Sequence, residues 1–289
     1  MFCQFSIRSV ILDSDSSAMR TLHIFGDSFS QPFKEDWVWT NQLGNKLQVT
    51  ALSNNSHIGV SNDWIFSNVR DAILGNQEKP LVQGDVVVVI LTSPYRYWFF
   101  KDRPQLSNYM ISNWDEFATK DDKGVIDAIK GYVNYIQRDE LDLIRTEFQI
   151  GWLKQMSRQI GFDLLLIPGF SMTIDFTGLP DVLGDLTGSV SNAEFISTKD
   201  DSTWYKGGID TRYNHLSKDN HEILADKCVH SLMTRNPLDL CIGFKRQFLR
   251  GDERYTSKQV GPSLVSQAKE LKATSSRYVD TQHWLTGDK

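Results

Sequence analysis

The chain has 289 residues, of which 40% are hydrophobic, and it carries a formal net charge of -5 at neutral pH. This length and composition allow a globular protein with a sizeable core, and the negative charge disfavours nucleic acid as a partner, because phosphate backbones select basic surfaces. The three cysteines, Cys3, Cys228 and Cys241, form no CxxC pair and no His/Cys cluster, so we expect free thiols and no metal ligands.

The N-terminal segment does not have the pattern of a secretory signal, since polar and acidic residues interrupt its apolar positions. We expect residues 1–18 to form a peripheral arm ahead of the first strand. No apolar run is long enough to predict a membrane span. The expected location is therefore the cytoplasm, with a virion as the alternative.

Strand-like and helix-like segments alternate from residue 19 to residue 235, which is typical of a parallel sheet covered by helices on both faces. The predicted strands are 22–25, 49–52, 84–91 and 162–168, and the predicted helices are 38–46, 64–74, 139–159 and one that begins near Ser217. We expect Asn62 or Asp63 to cap the second helix. The pattern predicts an α/β fold of the three-layer αβα (flavodoxin-like) class with a parallel sheet of about five strands.

Two regions lie outside this alternation. The stretch 95–138 mixes aromatic and charged residues and is interpreted as an insertion. Residues 236–289 become increasingly polar and are interpreted as a C-terminal extension, a candidate surface for a second copy of the chain or another assembly partner.

The first strand ends in Gly26-Asp27-Ser28, which leaves a serine at the carboxyl end of a strand. Sites in open parallel sheets lie at that edge, so Ser28 is a candidate nucleophile. The alternative is structural, because Asp and Ser ahead of a helix are common N-cap residues.

A second block, His215-Leu216-Ser217 through Asn220-His221, lies beside the start of the last predicted helix. A serine hydroxyl needs a base within hydrogen-bond reach to attack an acyl carbon. His215 is the predicted base, and His221 is its nearest competitor. His23 and His230 lie inside a predicted strand and a predicted helix, where we expect them to pack.

Together the two blocks resemble the SGNH (GDSL) hydrolase superfamily, in which the nucleophile follows the first strand and the base precedes the final helix. Gly59, after the second strand, and residues 91–94, after the third, stand where that family has its second and third blocks. The resemblance covers about residues 20–235. It implies hydrolysis of an acyl ester with no metal and no organic cofactor.

The resemblance also implies an oxyanion hole built from the backbone N–H groups of Ser28 and Gly59 and from one side chain of the third block. The family has an asparagine in that block, but Ser93 stands at the matching position here. An oxyanion donor that is not replaced costs on the order of 3 kcal/mol of transition-state stabilisation.

Three neighbouring side chains are further candidate donors, namely Asn62, Asn54 and Arg96. Each also has a structural interpretation: a helix cap for Asn62, a turn for Asn54 and a surface ion pair for Arg96. The sequence leaves these alternatives open.

The base lacks the family's usual carboxylate partner. The family places an aspartate three residues before the histidine, but Arg212 occupies that position and Asp210 is the nearest upstream carboxylate. Either Asp210 orients His215 across a bulged segment, or the site works as a Ser-His dyad in which Asn214 or a backbone carbonyl holds the ring.

Aromatic residues are concentrated after the third strand. This group consists of Tyr95, Tyr97, Trp98, Phe99, Phe100, Tyr109 and Trp114. Such a group can line a substrate cleft, but more often it is a satellite core beneath a long loop.

The leading functional interpretation is a serine esterase that acts on a small acyl group, such as the O-acetyl group of a carbohydrate. The alternative is an SGNH-like module that has lost efficient catalysis and serves in binding or assembly, for example in a phage particle. A flavodoxin-like nucleotide binder is a weaker third interpretation, because no glycine-rich phosphate motif follows any strand.

Overall fold

The structure is a computed structural model that describes residues 20–99, 123–170, 172, 175–186, 194–197, 216, 218–245 and 247–250. Its centre is a four-stranded parallel sheet with the strand order β2-β1-β3-β4. The strands are β1 (Thr21–Phe25), β2 (Ala51–Asn54), β3 (Val86–Leu91) and β4 (Asp163–Pro168).

The sheet lies at the centre of the fold because β3, one of its two inner strands, is apolar along its whole length. All six residues of β3, Val-Val-Val-Val-Ile-Leu, are buried. A strand without polar alternation must be covered on both faces, and helices supply that cover. The helices are α1 (Trp39–Lys46), α2 (Asn62–Ile73), α3 (Lys123–Tyr135), α4 (Asp139–Ile160) and α5 (Lys218–Thr234).

Side chains alternate along each strand, and they divide the core into two clusters. On one face, Leu22 and Val88 of the sheet lie in a cluster with Leu43 of α1 and Leu224 of α5. The other face carries a second cluster, which combines alternate sheet residues with side chains of α2 and α4. The three-layer αβα arrangement predicted from the sequence is therefore confirmed.

Shorter strands lie outside the main sheet. β5 (Val182–Leu183) pairs in parallel with β7 (Leu238–Asp239), and β6 (Glu194–Ser197) pairs in parallel with β8 (Gln247–Arg250). Leu238 and Leu240 are buried in the same core cluster as α1 and α5. The first part of the predicted C-terminal extension thus packs against the domain.

Three differences from the predicted elements are the most informative. The second strand begins at Ala51 instead of residue 49, because the turn after α1 continues through Gln48, which has a φ of 53°, and Val49 donates to Gly44 O at 3.2 Å. Within the predicted insertion, α3 forms a helix that buries Ile126 and Ile129.

The third difference is the cap of α2. Ser61 is its N-cap residue, and the Ser61 hydroxyl accepts a hydrogen bond from Trp64 N at 3.3 Å. The prediction of Asn62 or Asp63 as the cap is wrong, since both residues lie inside the helix.

A buried histidine–aspartate pair lies at the amino ends of the strands. Asp85 accepts from Thr21 N and from Val82 N, each at 2.9 Å, and its Oδ2 lies 3.3 Å from His23 Nε2. His23 is fully buried, and within the described residues its Nδ1 has no hydrogen-bond partner. Burial lowers the pKa of His23, because the charged ring is removed from water, although Asp85 opposes the shift.

The pair predicts how stability depends on pH. Because the pKa of His23 is lowered in the folded state, the unfolded chain binds a proton first as the pH falls below about 6.5. His23 therefore contributes stability that is complete above that pH and is lost as the pH falls toward its folded pKa. The expected slope is at most about 1.4 kcal/mol per pH unit for one proton.

Urea unfolding of His23→Gln between pH 7.5 and 5 is the measurement. Gln keeps a donor that can face Asp85 but does not titrate, so the free energy of unfolding should fall less steeply than in the wild type. His230→Gln is the matched control, since His230 is exposed on α5. Equal slopes for His23→Gln and the wild type would contradict the expectation.

Candidate functional site

The carboxyl ends of the main strands meet at one edge of the sheet, and backbone hydrogen bonds connect the loops that follow them. After β2, Asn55 N donates to Ile24 O at 2.8 Å and His57 N donates to Gly26 O at 3.1 Å. After β4, Gly169 N donates to Leu91 O at 2.7 Å. The turn that follows β1 therefore lies in the middle of this edge.

Gly26 is needed because the chain passes very close to β3. A Cβ atom at this position would lie 2.7 Å from the Cβ of Ile90 and 2.4 Å from the Oγ of Ser30. No side chain fits there, so the residue between β1 and Asp27 has to be glycine for packing reasons.

Ser28 occupies the second position of a tight turn. Ser30 N donates to Asp27 O at 3.1 Å, which closes the turn, and Ser28 itself is half-buried. Helix α1 begins only at Trp39, with Val38 in the N-cap position. The structural alternative for Asp27 and Ser28, an ordinary helix cap, is therefore wrong.

The carboxylate of Asp27 holds this turn. It is fully buried, and it accepts from Phe29 N at 3.1 Å, from Thr92 Oγ1 at 3.0 Å and from Arg96 Nη1 at 3.0 Å. A buried carboxylate is tolerated only when it is paired and hydrogen-bonded, and three donors meet that requirement. The turn, the tip of β3 and the loop after it are thereby joined at one group.

The observed partner of Arg96 is Asp27. The Arg96 side chain is 22% exposed, and its guanidinium carbon lies 4.7 Å from the centre of the Phe170 ring. Burial lowers the pKa of Arg96, while the Asp27 carboxylate acts in the opposite direction. The ion pair expected at the surface is therefore largely enclosed, and it stabilises the serine turn through Asp27.

Asn62 is bound to the backbone at the tip of β3. Its Oδ1 accepts from Thr92 N at 2.9 Å, and its Nδ2 donates to Thr92 O at 3.0 Å. The side chain is buried and fixes the start of α2 against the end of β3. The same loop contains Ser93, whose Oγ accepts from Tyr95 N at 3.4 Å.

The second-block loop is tied to the serine turn by side chains as well as backbone. Asn54 Nδ2 donates to Ser30 O at 2.8 Å, and Ser30 Oγ donates to Ser56 Oγ at 2.8 Å. Gly59, with a φ of 67°, lies farther along this loop. The structure thus brings the predicted residues Ser28, Asn54, Gly59, Asn62, Ser93 and Arg96 to one edge of the sheet.

The histidine block is described in part. His215, Asp210 and Ser217 lie outside the described residues, whereas Leu216 is buried in the same core cluster as Phe29. Asn220 is buried, donates to Lys245 O at 2.9 Å and accepts from Lys245 N at 2.7 Å.

His221 has a structural partner. It is 4% exposed, and its Nδ1 accepts from Trp39 N at 3.2 Å, at the first residue of α1. The indole of Trp39 in turn donates to Phe29 O at 2.8 Å. Sequence reasoning missed these roles of Trp39, because the contacts join segments far apart along the chain.

Two members of the aromatic group after β3, Tyr97 and Phe99, pack with Tyr132 of α3 in a satellite core. Tyr97 is buried, its hydroxyl donates to Asp142, and its ring lies 5.4 Å from that of Phe99 and 6.0 Å from that of Tyr132. Burial raises the pKa of Tyr97. These contacts hold α3 and α4 beside β3, while Phe100, Tyr109 and Trp114 lie outside the described residues.

Within the described part of the chain, no group of three or more His, Cys, Asp or Glu residues could hold a metal ion. None of the helices in the described ranges is both long enough and apolar enough to span a bilayer. The groups that meet at the strand edge are the serine turn, the loops hydrogen-bonded to it and the Asp27–Arg96 ion pair.

No family model matches the sequence, and no curated protein matches it. Solved structures do match it. One is TesA, with a TM-score of 0.28 and 15% identity over 53% of this chain, and the chain spans 62% of the length of TesA. Another, described as a lipolytic protein of the G-D-S-L family from Desulfitobacterium hafniense DCB-2, has a TM-score of 0.29 and 12% identity over 71% of this chain and 95% of its own. At TM-scores this low, the assignments made for this chain rest on its own geometry.

The packing at Gly26 can be tested by substitution. Gly26→Ala should lower the free energy of unfolding by about 1–3 kcal/mol, because the added methyl group overlaps Ile90 and Ser30. Gly44→Ala is the control, since a Cβ there would lie 3.5 Å from its nearest neighbour, Val49 Cγ2, and alanine favours the helix by about 0.5–1 kcal/mol. Urea unfolding should separate the two, and equal tolerance of both changes would refute the packing argument.

The Asp27–Arg96 pair can be tested by a double-mutant cycle. Arg96→Met leaves a buried carboxylate without its cation and should cost about 3 kcal/mol of unfolding free energy. Asp27→Asn should cost less, because it keeps an oxygen that can accept from Thr92 or Phe29. The combined variant should be more stable than the sum of the two losses predicts, by about 0.5–3 kcal/mol. Additive losses would mean that the two side chains do not interact energetically.

Proposed function

We propose that this chain is a serine hydrolase of the SGNH type that cleaves acyl esters, with Ser28 as the nucleophile and His215 as the base. The observation that carries the proposal is the position of Ser28, in a turn held by a buried carboxylate at the edge where the strand ends converge. Such an edge is the usual place for a site in an open parallel sheet. An ordinary helix cap would not require this network.

The proposed reaction has two halves. His215 takes the proton of Ser28 Oγ while that oxygen attacks the ester carbon, and the protonated ring then donates to the departing alcohol oxygen. Water repeats the sequence on the acyl-enzyme, which releases the carboxylic acid and restores the serine hydroxyl. Asp210 orients the imidazole if the segment between it and His215 brings the carboxylate to the ring.

Negative charge that develops on the carbonyl oxygen needs donors that are already in place. We assign this role to the backbone N–H groups of Ser28 and Gly59, with Ser93 Oγ as a third donor. Asn62 and Arg96 are weaker candidates than the sequence implied, because their polar groups bind Thr92 and Asp27. They contribute through the rigidity of the loops that carry the donors.

A small polar ester, such as an O-acetylated carbohydrate, is the proposed substrate class. The Arg96 charge beside the serine turn is balanced by Asp27, so the known groups at this edge favour neither a strongly anionic nor a cationic substrate.

One observation favours a second candidate, an SGNH-like binding or assembly module with weakened catalysis. Asn62 and Arg96, two candidate donors near the third block, are engaged in structural hydrogen bonds, and Ser93 stands in place of the family's asparagine. Loss of one oxyanion donor lowers kcat by about 100- to 1000-fold. A module of this kind would keep the fold and the serine turn but would hydrolyse esters very slowly.

Turnover of an acetyl ester and labelling by a fluorophosphonate probe test the proposal. Ser28→Ala and His215→Ala should each abolish both, and the double variant should be little worse than either single one, because members of one catalytic unit are non-additive. Asp210→Asn should give an intermediate loss if that carboxylate orients the ring, and no loss if the site is a dyad.

His57→Ala is a useful control, because it removes a different histidine that lies near the serine turn. It should retain labelling. Folded wild-type protein that neither labels nor hydrolyses a broad panel of acyl esters would reject the hydrolase and favour the binding module.

A further inference from the structure

Trp39 makes two buried hydrogen bonds, each to a different segment of the chain. Its indole Nε1 donates to Phe29 O at 2.8 Å, at the residue next to Ser28. Its backbone N donates to His221 Nδ1 at 3.2 Å, inside the block that also contains His215. Trp39 itself has no exposed surface. One residue therefore connects the two segments that carry the proposed nucleophile and the proposed base.

The bond to His221 supplies a hydrogen-bond acceptor for the first amide of α1. The N-terminal amides of a helix lack partners within the helix, and Val38 in the N-cap position has no side-chain acceptor. The imidazole of His221 supplies an acceptor from α5 instead, which leaves the ring proton on Nε2. The Trp37 ring packs edge-on against the same imidazole, with 5.1 Å between the ring centres. The start of α5 is thereby fixed to the start of α1.

The bond to Phe29 connects α1 to the serine turn. Phe29 is 6% exposed and lies in the core cluster that also contains Trp39 and Leu216, the residue directly after His215. Asp27 holds the serine turn from the β3 side, and Trp39 holds it from the α1 side. Neither Asp27 nor the Trp39 indole takes part in the proton transfers of the proposed reaction.

We propose that Trp39 is a positioning residue that sets the serine turn against the histidine block, and so determines how closely His215 approaches Ser28. This proposal rests on the proposed function. Proton transfer needs a separation of about 2.6–3.2 Å between the serine oxygen and the ring nitrogen. A displacement of about 1 Å can reduce the rate roughly 100-fold.

The main experiment compares Trp39→Phe with Val69→Ala. Phenylalanine keeps a large buried ring but lacks the indole N–H, whereas Val69 is fully buried in α2, in the core cluster on the opposite face of the sheet. With melting temperatures measured for both, Trp39→Phe should lower kcat about 10- to 100-fold and leave KM within about twofold. Val69→Ala should leave kcat near the wild-type value despite its loss of stability. If kcat follows the melting temperature in both variants, the positioning role is wrong.

A second pair of variants tests the other bond without changing Trp39. Asparagine places an amide oxygen near the position of Nδ1, so His221→Asn should retain most of the turnover, whereas His221→Leu removes the acceptor and should lower kcat. Equal kcat values for the two variants would overturn the proposed link through His221.

Amide hydrogen exchange separates this proposal from the proposed function, because it needs no activity. In Trp39→Phe, the amide of Ser30, which closes the serine turn, should exchange faster than in the wild type, and in Val69→Ala it should not. Wild-type protein without turnover or labelling would reject the proposed function, and the exchange comparison would still decide whether Trp39 holds the turn. If the Ser30 amide exchanges at the wild-type rate in Trp39→Phe, Trp39 does not hold the serine turn.

Discussion

The buried carboxylate of Asp27 requires three hydrogen-bond donors, and these come from three places along the chain. Phe29 N is local, Thr92 lies at the end of the central strand, and Arg96 lies in the loop beyond it. An unpaired carboxylate at this depth would be costly, so the donors cannot move apart without loss of stability. The serine turn is rigid for this reason, and rigidity is what a preorganised site needs.

The two edges of the sheet are built differently. At the amino ends, Asp85 pairs with His23, and Asp163 pairs with Arg20 and with Arg235. At the carboxyl ends, the ion pair of Asp27 and Arg96 supports a half-buried serine. Polar pairs therefore stabilise both edges, and the candidate chemistry lies at the carboxyl edge.

The main sheet and its helices could be predicted because their signals are local. The apolar run of β3 and the alternation of strands and helices require no knowledge of distant contacts. The cap of α2 could not be assigned securely from the sequence, since Ser61, Asn62 and Asp63 are all common near a helix start and Asn62 turned out to bind Thr92 instead. The helix α3 was missed even though Ile126, Ile129 and Val133 follow helical spacing, because it contains Gly124 and Gly131, which disfavour a helix.

The candidate site divides in the same way. The position of Ser28 at the end of a buried strand could be predicted. The partners of Asp27, Arg96 and His221 could not, because packing between remote segments sets them. A polar side chain at a strand end can face a substrate or the backbone, and only the three-dimensional contacts distinguish these cases.

The bond between Trp39 and His221 joins residues that are 182 positions apart in the chain. Contacts of such long sequence separation form late, because the entropy of closing the loop must be overcome before they contribute any energy. During synthesis, all four strands of the main sheet leave the ribosome before α5 does. The sheet can therefore assemble with the serine turn already held by Asp27 and Trp39, before the bond from Trp39 to His221 can form. By this order of events the serine turn forms first, and its connection to the histidine block forms only when the final helix docks.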